Sequence, residues 1–412
     1  LVPRRISPTA FGPRDARRFV KLGFLYDAVY PWIKGGGEKA LYELACALRD
    51  RGHECHLFGM HLWDGPPEIE RDGLRYHAVG PNVPLYGPDG KRRAAQPLRF
   101  AWGVWSRLGR YDLASFDLLD VHAFPFLSVP PFQLVRRLRA RRVPWLLTWL
   151  EVWGADYWRR YLGAKGTIGA AVERWCGRTA PHHLCISPNT ARRLHDLLEV
   201  PEDRISTIPR GFVPAREPTA SVPRSPRRVV IAGRLLAYKR VDVVIRAWPA
   251  VRRRFPDAEL HVIGDGPERA DLERLGESGD GVVFRGQLPE REQVLTAISE
   301  AALLVQPSQR EGQSLVVLEA LTLGTPVLAA VGPETAVADF LGSVPATSAA
   351  RLDVAAPPEA WADRIVKLLS NDDLRAALVA AGRSQVSELG WVDHIAPAVE
   401  RLYQRLIADA GR

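Results

Sequence analysis

The sequence predicts an α/β protein of two Rossmann-like, doubly wound parallel-sheet domains that face each other across a cleft. Three observations predict it. A chain of 412 residues with 46% hydrophobic side chains exceeds one ordinary core and suffices for two domains of about 200 residues each. Short apolar runs alternate with helix-periodic segments twice along the chain, as in parallel strands covered on both faces. Between the two alternations lies a proline-rich stretch with few apolar residues.

The first alternation opens with a strand over 20–26, the glycine cluster Gly35-Gly36-Gly37, a helix over 38–51 and a strand over 54–58. The helix carries Ala40, Leu41, Leu44, Ala47 and Leu48 on one face, and Gly52 suits the left-handed turn that closes helices. Apolar runs at 118–122, 145–149 and 183–186 continue the pattern, giving a first domain over 1–208 in which 1–20 read as a disordered arm, a tag remnant or a misassigned start and carry no assigned function. Pro209, Pro214, Pro218, Pro223 and Pro226 mark a hinge over 209–228. Strands at 229–232, 260–264, 282–284, 303–306 and 327–331, with helices over 241–255 and 315–323, build a second domain over 229–392. The last segment, 393–412, has helical spacing through Ile395, Val399, Leu402, Tyr403 and Leu406 and can pack on either domain.

Composition narrows the function classes. Cys46, Cys55, Cys176 and Cys185 form no close pair and sit in apolar surroundings, so they read as buried thiols, with neither a disulfide frame nor a metal site. No run approaches the roughly 20 apolar residues that cross a bilayer, and the expected location is the cytoplasm. A net charge of +9 favours anionic partners. Zinc spacing, basic heptads and RNA-binding aromatic signatures are all missing, which argues against nucleic acid.

In open parallel sheets, ligands bind beyond the carboxyl ends of the strands, and the loops there carry the chemistry. Gly35, Gly36 and Gly37 open a helix, where bare amides and the helix dipole suit a phosphate; a tight turn without ligand is the plainer reading. Arg234 and Lys239 follow the second domain's first strand and can grip a diphosphate, or can form a solvated basic loop. Glu311 sits in a loop and Glu319 in the second turn of the following helix, where carboxylates can accept paired hydrogen bonds from sugar hydroxyls. Gly312, Gln313, Ser314 and Leu315 lie between them, and the amides of the last three can hold a phosphate at the helix start.

In this order the motifs resemble the retaining two-domain (GT-B) glycosyltransferases of the family four type, over about residues 21–406. The matching pieces are Gly35-Gly36 with Glu38, Arg51-Gly52-His53-Glu54, Val121-His122-Ala123, Ile208-Pro209-Arg210-Gly211, Gly233-Arg234-Leu235 with Lys239, Ile263-Gly264-Asp265-Gly266-Pro267, Phe284-Arg285-Gly286, and Glu311 through Glu319 followed by Gly324-Thr325-Pro326-Val327. The resemblance implies transfer of a hexose from a nucleotide-diphosphate sugar, with retention and without a metal or further cofactor. It assigns Arg234 and Lys239 to the diphosphate, Glu311 to the sugar, Glu319 to the ribose, and Gly286, Gln287 and Leu288 to the base. His122 becomes the active-site histidine. Leu150 stands where the family often carries a histidine, and Arg240 replaces the small residue after the lysine.

The acceptor reads as a glycan, a lipid-linked molecule or a small molecule. Arg136, Arg137, Arg139, Arg141 and Arg142 form a basic run that suits either an anionic membrane face or a solvated helix. Trp145, Trp149, Trp153 and Trp158 suit either sugar stacking or core packing. Two other classes remain open: a noncatalytic nucleotide-sugar sensor with the same fold, and a nucleotide-dependent oxidoreductase. Against the latter, Gly233-Arg234 puts a cation where a dinucleotide loop needs bare backbone.

Overall fold

The structure is a computed structural model and describes residues 19–33, 35–84, 95–210, 224–277, 280–341, 350–389 and 392–411. Most of the hinge stretch, including Pro214, Pro218 and Pro223, and most of the expected N-terminal arm lie outside those residues.

The first half forms one eight-stranded sheet: β1 (Lys21–Leu25), β2 (Glu54–Met60), β3 (Glu68–Arg71), β4 (Leu74–Gly80), β5 (Leu118–His122), β6 (Trp145–Trp149), β7 (His183–Cys185) and β8 (Ile205–Thr207), in the order β3-β4-β2-β1-β5-β6-β7-β8. All neighbours pair parallel except β3 with β4, which corrects the expectation of a wholly parallel sheet. Asp72 and Gly73, both at positive φ, turn that edge hairpin. The second half forms a six-stranded parallel sheet: β9 (Arg228–Ala232), β10 (Glu259–Ile263), β11 (Val282–Gly286), β12 (Leu303–Gln306), β13 (Val327–Val331) and β14 (Arg351–Asp353), in the order β11-β10-β9-β12-β13-β14.

Each sheet buries apolar side chains on both faces, so four apolar layers form. In the second half, Val229, Ile231 and Leu260 pack towards the helix Val241–Arg254 and Trp361, while Val230 and Leu304 pack towards the helix Leu315–Thr322. Alternate residues of one strand thus feed opposite layers, as the period of two requires. In the first half, Leu119 and Val121 join Phe132 and Trp149 in one layer, and Leu118 joins Phe24 and Leu41 in the other.

The final helix, Val392–Ala410, packs on the first half, where Ile395, Val399, Leu402 and Tyr403 complete the layer around Leu41 and Leu48. Polar contacts fix it in place. Tyr403 Oη donates to Asp120 Oδ2 (2.5 Å), and Glu400 meets both Arg51 and His53. A helix that follows the second sheet therefore finishes the core of the first.

Candidate functional site

Both sheets aim their carboxyl edges at the junction between the halves. From the second half, β9 is followed by Gly233, whose carbonyl lies so near Gly264 that a Cβ there would sit 1.9 Å from it. Only glycine at 264, with φ 131°, lets the β9 and β10 loops approach this closely. Arg234 follows and is exposed. A 3-10 turn, Ala237–Lys239, then brings Lys239 back to the sheet edge.

Lys239 Nζ donates to Glu311 Oε1, and Gln306 Nε2 donates to the same oxygen at 2.6 Å and to Ser314 Oγ at 3.2 Å. Burial alone would push the Lys239 ammonium down, but the Glu311 carboxylate beside it outweighs that and holds it above its ordinary value. Arg240 takes a left-handed conformation at φ 52° and pairs with Asp242 at 3.5 Å. Its charge is thus turned to its own helix.

Glu319 is also buried and is paired with Arg291. Burial raises its carboxyl above the usual range, and Arg291 opposes the shift. Gly286 ends β11 at φ 66° and its carbonyl accepts from Gly264 N–H at 2.8 Å, so Gly286, Gln287 and Leu288 begin the loop beside β10.

From the first half, Gly35 and Gly36 start the helix Gly36–Asp50. A Cβ on Gly36 would touch Leu315 Cδ1 at 3.3 Å, and one on Gly35 would strike Glu38 Oε2 at 2.0 Å. The glycine loop therefore lies against the start of the helix Leu315–Thr322, where the first-turn amides of both helices lack intrahelical partners. Two helix N-termini from two halves converge on one spot, an arrangement that favours an anion.

His122 ends β5 and is buried, with the Tyr26 ring 4.3 Å away and Arg210 Nη2 3.2 Å from Nε2. Burial first, and the Arg210 cation second, hold the imidazole well below its ordinary pKa, so it is neutral.

Across the junction, the Arg310 guanidinium of the second half lies 4.2 Å from the Tyr157 ring, 4.7 Å from Tyr238 and 5.2 Å from Trp153, with its Nε 3.1 Å from Glu151 Oε2. Glu151, Trp153 and Tyr157 belong to the first half. A Cβ on Gly312 would meet the Leu150 carbonyl at 2.0 Å, so that position too is where the halves touch. The paired contacts Arg160 with Glu334 and Asn189 N–H with Asp339 (2.9 Å) close the rim.

The structure thus brings Gly35, Gly36, Lys239, Glu311, Gly312, Gln313, Ser314 and Leu315 to one junction, with His122 connected through Arg210. Gly286, Gln287, Leu288 and Glu319 stand on the side of the second half. Among the tryptophans, Trp145, Trp149 and Trp158 are core residues; Trp149 donates to His183 Nδ1 (2.9 Å) and Trp158 to Glu173 Oε2 (2.8 Å). Only Trp153 reaches the junction. Arg136 turns inward over Trp145 and donates to the Arg141 and Val143 carbonyls, so it leaves the basic run. Gln306, Arg210, Arg291, Arg310 and Glu151 are site residues that sequence reasoning did not select. For Gln306 the signal was present: a polar residue closing an otherwise apolar strand.

Residues 34–216 match the family model Glycosyltransferase Family 4, and residues 226–371 match Glycosyl transferases group 1. A phosphatidyl-myo-inositol mannosyltransferase of Mycobacterium leprae is 27% identical over 92% of this chain and 96% of its own. The D-inositol 3-phosphate glycosyltransferase of Thermobispora bispora is 27% identical over 87% of each chain, and that of Corynebacterium urealyticum is 31% identical over 45% of this chain and 44% of its own. Among solved structures, sucrose-phosphate synthase of Thermosynechococcus elongatus superposes with a TM-score of 0.75 at 21% identity, over 95% of this chain and 100% of its own. Anabaena Alr3699/HepE in complex with UDP and glucose superposes with a TM-score of 0.67 at 16% identity, over 93% and 99%.

Proposed function

Since the chain belongs to the group 1 and family 4 glycosyltransferases of GT-B fold, we propose that it moves a hexose, with retention, from a nucleotide-diphosphate sugar to an acceptor hydroxyl. The observation that carries this reading is the convergence of Lys239, Glu311 and two helix starts at one junction. Arg234 and Lys239 bind the donor diphosphate together with the amides around Gly35, Gly36 and Gln313 to Leu315. Glu311 accepts from hydroxyls of the transferred sugar, Glu319 from the ribose, and Gly286, Gln287 and Leu288 lie beside the base.

Lys239 and Glu311 pair with each other. Donor entry exchanges that pair for an ammonium–phosphate contact and a carboxylate–hydroxyl contact, so neither charge is left alone in a buried place. In the transfer step the bond between the anomeric carbon and the diphosphate oxygen breaks, and the acceptor oxygen bonds to that carbon from the same face. The acceptor proton leaves with the diphosphate. Charge building on the leaving oxygen meets Arg234, Lys239 and the helix-start amides, where one such donor is typically worth about 3 kcal/mol of barrier. The reading assigns this charge stabilisation to the chain's own cations and calls for no metal.

For the acceptor, the names of the relatives favour a hydroxyl of a phosphorylated or lipid-borne cyclitol. A peripheral contact with an anionic membrane at the inner cytoplasmic face fits the same class. Arg137, Arg139, Arg141 and Arg142 are exposed beside Leu134 and Leu138, and the neighbouring helix Ala95–Arg107 exposes Leu98, Trp102 and Trp105. Basic and apolar side chains on one face are the mixture that anionic lipid attracts.

The test is incubation of purified protein with EDTA and a panel of UDP-, GDP- and ADP-sugars, following nucleoside diphosphate release with and without myo-inositol phosphate. Release from one donor class, raised by the acceptor, supports the reading. No release from any donor, with EDTA or with added divalent metal, overturns it, and binding without turnover makes the chain a sensor.

A further inference from the structure

Arg210 stands where the chain leaves the first half, and it touches three parts of the site that are far apart in sequence. Its backbone N–H donates to Gln313 Oε1 at 2.9 Å, and its carbonyl accepts from Gln313 Nε2 at 2.7 Å. One side-chain amide of the donor loop therefore reads both main-chain groups of Arg210, across 103 residues of sequence. The guanidinium turns the other way. Nη1 donates to the Gly37 carbonyl in the glycine loop, and Nη2 lies 3.2 Å from His122 Nε2 and 3.4 Å from Nδ1.

We propose that Arg210 is a positioning residue for the transfer: it orients the His122 imidazole and locks it to the glycine loop and to the Gln313 loop, so that all three take up their places together. The inference rests on the transferase reading. It needs no contact between Arg210 and substrate.

The chemistry of the two side chains sets what the contact can do. A guanidinium has donors only, so any ring nitrogen that meets it must offer a lone pair, and a doubly protonated imidazole cannot. Arg210 thus disfavours the doubly protonated ring and, with Tyr26 packed against the imidazole, restricts where the ring can sit.

The other ionisable groups around His122 explain how this cation is tolerated in a buried place. Asp120, two residues earlier on β5, is held by Thr148 Oγ1 and Tyr403 Oη, each at 2.5 Å. Glu38, on the glycine-loop helix, accepts from Tyr26 Oη at 3.1 Å. Asp120, His122, Thr148 and Arg210 line one cavity closed by Leu41 of that helix and by Val399 of the final helix. The Glu38 and Asp120 carboxyls thus oppose the lowering that burial imposes on the arginine, and its guanidinium meets an imidazole, a placement that a hinge residue without a role in the site does not require.

The experiment compares wild type with Arg210→Gln and Arg210→Lys, measuring kcat and donor KM from pH 5 to 9 and the imidazole nitrogen signals of His122 by NMR. In Arg210→Gln, kcat should fall by up to roughly 100-fold, as expected for misplacement of a reacting group, with donor KM rising by less than kcat falls because the two loops that Arg210 holds also bind the donor. Loss of the neighbouring cation should also move the acid limb of kcat to higher pH, along with the His122 titration. Arg210→Lys keeps the charge and should keep the acid limb near its wild-type position. A raised donor KM at unchanged kcat, a lowered kcat with unmoved pH profile and His122 signals, or no change at all overturns the proposal. If Arg210→Gln does not fold, the Arg210→Lys rate and its His122 signals decide, since a lowered rate with a reoriented, still neutral ring is then required. A wild type that turns over no donor sinks the transferase reading alone, and the His122 signals still test Arg210.

Discussion

The two halves meet the same junction by different means. In the second half, Gly233, Lys239, Gln306, Glu311 and Glu319 come from the adjacent strands β9 and β12 and the elements that follow them. That half carries its site within its own local order. The first half is completed by distant parts of the chain: Tyr403 reaches Asp120 across 283 residues, Arg310 reaches Glu151, and Gln313 holds Arg210. Among the described residues, every large apolar side chain that is exposed lies between Phe19 and Leu197. The contrast teaches a division of labour: a self-contained second half, and a first half finished by others and turned outward.

The largest expected difference is in acid. Burial drives His77 and His183, both in the first half, down to about 3. Their unfolded counterparts bind a proton below about 6.5, so the stability they permit is full above that pH and falls as pH drops towards 3. The loss is on the order of 2 to 3 kcal/mol for each at pH 4.5. In the second half, His261 is the one described histidine inside the sheet, and its shift is smaller. Proteolysis or hydrogen exchange between pH 7 and 4.5 should open the first half first; simultaneous opening breaks the comparison.

Next comes Glu311→Gln, which should lower transfer by about 100-fold or more while leaving the first half's exchange pattern unchanged. An active variant would remove Glu311 from the donor half. Tyr403→Phe deprives the buried Asp120 carboxyl of a donor, so the first half should lose roughly 1 to 3 kcal/mol, read as a lowered first transition in thermal unfolding. Equal loss in both halves would show them to be one cooperative unit. Smallest in energy, the pair Trp102→Ala and Leu138→Ala should leave melting unchanged and weaken sedimentation with phosphatidylglycerol vesicles by about tenfold, the effect of withdrawing one or two CH2 groups from lipid at about 0.8 kcal/mol each. Unaltered sedimentation would mean that this face does not meet lipid.

Much of this was legible because it is local. The strands at 118–122, 145–149, 303–306 and 327–331 end where the apolar runs end, since a strand covered on both faces needs a continuous run. Edge strands obey no such rule. β8 and β14, Ile205–Thr207 and Arg351–Asp353, are short and half polar, and the β3–β4 hairpin was overlooked although Asp72-Gly73 is a turn signal. In the site, Lys239, Glu311 and the glycine loop announced themselves by position after strands. Arg210 did not, because its meaning lies in contacts with Gly37, His122 and Gln313 that no spacing expresses. Arg136 was misplaced for a similar reason: an arginine in a basic run can fold back over a tryptophan, and only the packing around Trp145 decides it.

The division between the halves is tested most directly by hydrogen exchange with and without a saturating nucleoside diphosphate chosen from the donor panel. The account predicts protection at 233–239, 286–288 and 311–319 in the second half, and in the first half at the 35–37 loop with His122 and Arg210 beside it. Protection spread over the outer helices of the first half, or missing from 311–319, would contradict it.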